Sequence, residues 1–201
     1  MAGLYKSLAA ALVVSRAAAF RAGVPRLHPR AGLRMMGTAL PTKIVIGADG
    51  FGEELKDAVV DHLKTKAGIE VEDMGTDKYY VAAADVAKRV QDDKSTKGML
   101  FCGTGMGVGI VANKFTGVYA ATCENEAAAR HSRSINNSNI LAMGGLVTTV
   151  DDAVKIVDAW LDQEFCAKPG AEADWWSPEV EAFLSSKFPE IDSIEQDSRG
   201  R

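Results

Sequence analysis

The chain has 201 residues, 47% hydrophobic, 25% charged and 7% aromatic, which suits one globular domain with a full core and excludes collagenous or disordered chains. The longest early apolar run, Leu8 to Val14, is far short of the ~20 residues that cross a bilayer, and Cys102, Cys123 and Cys166 are too scattered for a disulfide framework or zinc knuckle, so a reducing compartment fits. The formal charge of −4 hides six bases and no acid in residues 1 to 38; the rest carries 17 bases against 27 acids, a balance of −10 that speaks against nucleic-acid binding.

The first 40 residues read as an address. A basic start through Lys6, the apolar run Leu8–Val14, and the small-residue stretch before Phe20 are followed by an Arg-rich, acid-free segment to Arg34. These features resemble the two-part plastid leaders of algae with complex plastids; a mitochondrial or simple chloroplast leader is the alternative, and a basic tail without function is the plain one.

From Lys43 the chain alternates strand and helix. Lys43–Ala48 is a β-branched strand, and Phe51–Lys66 puts Leu55, Ala58, Val59 and Leu63 on one helical face. Ile69–Val71 is a second strand, Tyr79–Val90 an Ala-rich helix, and Met99–Cys102 an apolar strand entering a Gly-rich loop. A helix over Met106–Lys114, strand Val118–Thr122, helix Glu124–Ser134, strand Ile140–Met143 and helix Val150–Leu161 complete the pattern. Five such units, with strands buried on both faces, predict a single α/β domain over residues 41–165: a Rossmann-like three-layer open parallel sheet of five strands. Residues 166–201 form a C-terminal tail with one helix, capped by Ser177, started by Pro178 and running through Leu184, its two tryptophans packing on the domain or on a neighbour.

In such sheets ligands sit where strands end. The third exit, Cys102-Gly103-Thr104-Gly105-Met106-Gly107, is the informative one. Small residues between a strand and a helix let several backbone N–H groups face one anion, although glycines there also serve a tight turn. It is neither a dinucleotide fingerprint nor a P-loop, since GxGxxG does not fit and no GK[ST] follows. Cys102, at the strand end beside those amides, is placed to act as a thiolate, though buried thiols at strand ends are also ordinary core residues. Thr104 can bond a substrate oxygen or cap the loop, and Asp49, after the first strand, can bind a hydroxyl or cap the helix behind it.

Together, KIVIGADGFGEELK (43–56), MLFCGTGMGVGIVANKF (99–115), GVYAATC (117–123), RSINNSNILAM (133–143) and IVDAWL (156–161) resemble the ribose-5-phosphate isomerase B / galactose-6-phosphate isomerase (LacA/LacB) family. GVYAATC, RSINN and the WSPEVEAFL tail look closest to its branch in plant DNA-damage-repair/toleration proteins. The resemblance implies an aldose–ketose isomerase that works through a cis-enediolate and needs no cofactor or metal. It places Cys102 as base with Thr104 positioning the reacting oxygens, the amides of Gly103, Gly105, Met106 and Gly107 around those oxygens, and Asp49 and Asn136 on sugar hydroxyls. Members that use a Glu instead carry it where this chain has Val108. The resemblance also implies a homodimer that shares its sites between subunits, with a small sugar phosphate as partner and neither nucleic acid nor membrane.

The departures from the family pattern fall on charged groups. Gly50 and Ile135 stand where the family has histidines, Leu146 stands where a phosphate-binding Arg is expected, and the Trp175-Trp176 tail replaces a His/Arg-rich helix. Arg130, His131 and Arg133 can substitute as cations or sit solvated on their helix. A second reading follows, a catalytically silent sugar-phosphate-binding or stress-tolerance protein of the same fold, and a third in which Cys102 is a redox-sensitive thiol without a nearby resolving partner.

Overall fold

The computed structural model describes residues 42–200; the leader read over residues 1 to 40 lies outside them. In chain order the elements are β1 (Thr42–Ala48), α1 (Glu53–Lys64), β2 (Ile69–Thr76), α2 (Tyr79–Asp92), β3 (Lys97–Cys102), α3 (Met106–Ala112), β4 (Ala120–Thr122), α4 (Glu126–Ser134), β5 (Ile140–Gly144), α5 (Val150–Asp162) and α6 (Pro178–Ser198). The five strands form one parallel sheet in the order β2-β1-β3-β5-β4. This is the open three-layer architecture that alternating strands and amphipathic helices dictate.

Past their first residues the central strands are buried and apolar on both faces because each feeds two cores. Ile44, Ile46, Met99, Phe101, Leu141 and Met143 meet Leu55, Val59 and Leu63 of α1 and Ile156, Val157 and Trp160 of α5. Val45, Leu100, Cys102, Ile140 and Ala142 belong to the other core, with Ala83, Val86 and Val90 of α2 and Val108 and Ala112 of α3. At about 1.5–3 kcal/mol for each large apolar side chain removed from water, these two layers supply the main force that holds the sheet. Trp160, fully buried, also donates its indole N–H to Ser138 Oγ at 2.8 Å, so the largest core residue leaves no polar atom unpaired.

β2 runs to Thr76, beyond the Val71 limit expected from its apolar start. Its further residues pair with β1 through a bulge between Ile46 and Ala48, and its acidic side chains are tolerated because β2 is an edge strand with a wet face. The α6 helix also runs past the expected end at Leu184. Ser177 caps it by accepting from the Val180 N–H, and Pro189 removes only one internal hydrogen bond while Leu184, Phe188 and Ile191 keep helical spacing.

Docking of α6 rests less on the tryptophans than the sequence suggests. The Phe188 ring sits edge-on to Tyr119 (5.6 Å) and Phe165 (4.9 Å). Asp192 Oδ1 accepts the Tyr119 hydroxyl at 2.8 Å, and Glu195 Oε2 accepts the Gly117 N–H at 3.0 Å. Trp175 touches the body at His131, ring centroids 5.9 Å apart.

Candidate active site

The strand order reverses direction between β1 and β3, so the crevice at their carboxyl ends is the topological switch point of the sheet. Asp49 leaves β1 there and Cys102 ends β3. The Asp49 N–H donates to Phe101 O at 2.9 Å, which fixes the two exits side by side. One carboxylate oxygen of Asp49 accepts the N–H groups of Phe51 (2.9 Å) and Gly52 (3.1 Å) and so holds the turn into α1. The other oxygen has no protein donor among the described residues, which leaves it for a ligand hydroxyl.

Cys102 is 5% exposed, and its Sγ accepts the Gly105 N–H at 3.1 Å. Gly105 makes this possible by adopting φ 73°, the left-handed conformation that turns the loop back over the sulfur. The β5 exit closes the other side. Gly145 N–H donates to Cys102 O (2.8 Å) and Leu146 N–H to Gly103 O (2.9 Å), and a Cβ on Gly145 would lie 2.1 Å from Phe51 O. Three strand exits are therefore packed backbone to backbone around one thiol.

Of the four loop amides expected to face a ligand, two are turned inward. Gly105 N–H is taken by the sulfur, and Met106 N–H points to Thr104 Oγ1 at 3.4 Å. The N–H groups of Gly103, Thr104 and Gly107 have no protein acceptor among the described residues, and these are the donors left for an oxyanion. Thr104 is exposed, and because its oxygen accepts from Met106 its own O–H is free to donate. The α3 helix behind the loop has only seven residues, so loop amides rather than a helix dipole carry the positive field.

The rim is apolar. Phe51 and Leu146 are each 69% exposed and flank Gly103, while the Tyr79 ring at the start of α2 stands beside Gly107. Phe51 and Tyr79 escaped the sequence reading because they look like ordinary amphipathic-helix residues; the signal was their place just after the β1 and β2 exits. Among the described residues no cation is bonded to this loop.

Asn136 lies elsewhere. β3 and β5 run in register from Gly98↔Ile140 to Cys102↔Gly144, and Asn136 precedes Ile140, so it sits at the opposite end of the sheet, beyond about 13 Å from Cys102 along the strands. One copy of the chain does not bring Asn136 to the thiol. Arg130 pairs with Glu126, and Arg133 is half-buried over the Trp160 ring with its Nη1 on Ser138 O at 2.6 Å, so neither is a simple solvated cation. Cys123, at the β4 exit, is 1% exposed, and burial pushes its thiol up, the signature of a packed core group. Among the described residues no cluster of three His, Cys, Asp or Glu side chains could hold a metal ion.

Residues 44–173 match the protein family described as Ribose/Galactose Isomerase. The chain is 44% identical over 165 residues to the DNA damage-repair/toleration protein of Arabidopsis thaliana, a match that covers 80% of this chain but only 52% of the plant protein, so the chain spans about half of that relative's length. It is 39% identical over 128 residues to the D-erythrulose-4-phosphate isomerase of Pectobacterium atrosepticum, covering 61% of this chain and 84% of the bacterial one. Among solved structures, ribose-5-phosphate isomerase B of Clostridium thermocellum superposes with a TM-score of 0.66 at 37% identity, over 78% of this chain and 99% of the other.

Proposed function

Since the chain belongs to the ribose/galactose isomerase family, we propose that it interconverts the aldose and ketose forms of a short phosphorylated sugar, ribose 5-phosphate and ribulose 5-phosphate being the type pair. The observation that carries this reading is the buried Cys102 with Gly105 N–H on its sulfur and unpartnered amides at Gly103, Thr104 and Gly107 beside it. The substrates named for two relatives, D-erythrulose 4-phosphate and ribose 5-phosphate, differ by one carbon.

In the proposed step Sγ, as thiolate, takes the proton from C2 of the open-chain aldose. The C–H electron pair becomes the C1–C2 double bond, and the carbonyl electrons move onto O1, where the free amides and the Thr104 O–H stabilise the charge. The O2 proton passes to O1, the C2 carbonyl forms, and the sulfur returns its proton to C1. The free oxygen of Asp49 holds a sugar hydroxyl. No external reductant or oxidant enters.

Asn136 reaches such a site only from a second copy, and we take the functional unit to be a homodimer in which each thiol faces the Asn136 end of its partner. The exposed Phe51, Leu146 and Met106 around the loop are the surface such a partner would cover. The leader over residues 1 to 40 is read as plastid-directing, which a fluorescent fusion of those residues would test by where it accumulates.

The test is direct. Full-length chain incubated with ribose 5-phosphate yields ribulose 5-phosphate by NMR, and Cys102→Ala loses the conversion while keeping its fold. A second reading, binding of a sugar phosphate without turnover, is favoured by the rim, apolar and without a cation among the described residues; saturable binding with no conversion in the wild-type chain would select it.

A further inference from the structure

At the opposite end of the sheet the chain builds a second polar hollow that the isomerase reading does not use. It encloses about 340 Å3 between the starts of β3 and β4, the end of α4 and one side of α6. Its lining includes Lys94, Lys97 and Arg133 but a single carboxylate, Asp192, whose Oδ1 already accepts from the Tyr119 hydroxyl. The next acid along α6, Glu195, is held by Arg199 and the Gly117 N–H.

The cations there are under-compensated. Lys97 is half-buried and makes no hydrogen bond or ion pair among the described residues. Arg133 spends Nη1 on Asn137 Oδ1 and Ser138 O, but its buried Nε has no hydrogen-bond partner among the described residues. Burial, and then the neighbouring Arg133, push the Lys97 ammonium below its usual range, and burial does the same to Arg133. Burying positive charge without a counter-ion is unfavourable, and a guanidinium beside two ammonium groups is the donor set that suits a tetrahedral oxyanion.

We propose that this hollow binds a phosphate-type oxyanion, held by Lys94, Lys97 and Arg133 at the N-terminal edge of the sheet. Within one copy of the chain the site lies at the opposite end of the sheet from Cys102, and it stands whether or not the chain turns over a sugar.

The test is an amide NMR titration of the full-length chain with inorganic phosphate, with chloride holding ionic strength constant. Saturable shifts are expected at Gly117, Tyr119, Asn137 and Asn139, and binding about tenfold or more weaker in Lys97→Met and in Lys94→Ala, the latter an exposed position that leaves the fold intact. Glycerol 3-phosphate run in parallel separates the sources: tighter binding than phosphate identifies an organic monoester, and weaker binding identifies the free anion. Shifts confined to Gly103–Gly107, equal binding by both variants, or no saturable shift would overturn the proposal.

Discussion

Gly105→Ala tests the geometry of the loop and the thiol together. Gly105 sits at φ 73°, and an ideal Cβ there would lie 2.9 Å from the Met143 carbonyl carbon and 3.0 Å from its Cα. Backbone cannot swing aside as a side chain can. The left-handed conformation costs an alanine about 1–2 kcal/mol, and the forced contact adds about 1–3 kcal/mol of overpacking. Gly68 provides the control, since it has φ 80° with nothing within 4 Å of the added Cβ, so Gly68→Ala carries the conformational cost alone. Urea unfolding of both variants should show Gly105→Ala less stable by about 2–5 kcal/mol and Gly68→Ala by about 1–2 kcal/mol. Shifting the loop also moves the Gly105 N–H off Sγ, so turnover should fall on the order of a hundredfold in the first variant and stay near wild type in the second. Equal destabilisation by the two substitutions would refute the close approach of loop to β5.

Cys102→Ala and Asn136→Ala, each inactive alone, should regain roughly a quarter of wild-type turnover when unfolded together and refolded as mixed dimers, because random pairing puts half the copies into heterodimers with one intact site each; no recovery would contradict the shared site. Leu146→Arg should lower KM for ribose 5-phosphate about tenfold with little change in kcat, by placing a cation beside Gly103, as steady-state kinetics would show. Asp73 is pushed up by burial but pulled further down by the Gly75 N–H and the buried Lys56, a net displacement below its ordinary 3.8. Its contribution is therefore complete above that value and lost as pH falls through the lower folded-state value. By urea unfolding, Asp73→Asn should be less stable by about 1 kcal/mol near pH 7, given the one-third exposure of the carboxylate, and should show a flatter loss of stability below about pH 4.

Most of the sheet was legible because its strands are apolar on both faces and its helices carry one apolar stripe, so periodicity and strand-exit reasoning led to Asp49, Cys102 and the Gly-rich loop. Length misled where context decides. The acidic β2 is a strand past Val71 because its partner β1 supplies the ladder, and α6 survives Pro189 because Phe188 has Tyr119 and Phe165 to pack on. Asn136 was joined to Cys102 only through the family resemblance, which implies a site shared between subunits, because motif spacing carries no information about which end of the sheet a helix returns to. The cations of the second hollow come from two segments far apart in the chain, Lys94 and Lys97 before and at the start of β3 and Arg133 near the end of α4, so no single run of charge announced them.

The central claim is that Cys102 moves a carbon-bound proton. Incubating the full-length chain with ribose 5-phosphate in deuterated water should place deuterium at C1 of ribulose 5-phosphate and at C2 of recovered ribose 5-phosphate, with Cys102→Ala abolishing both. Isomerisation or exchange that persists in Cys102→Ala would contradict the account, as would an unlabelled sugar after prolonged incubation with the wild-type chain.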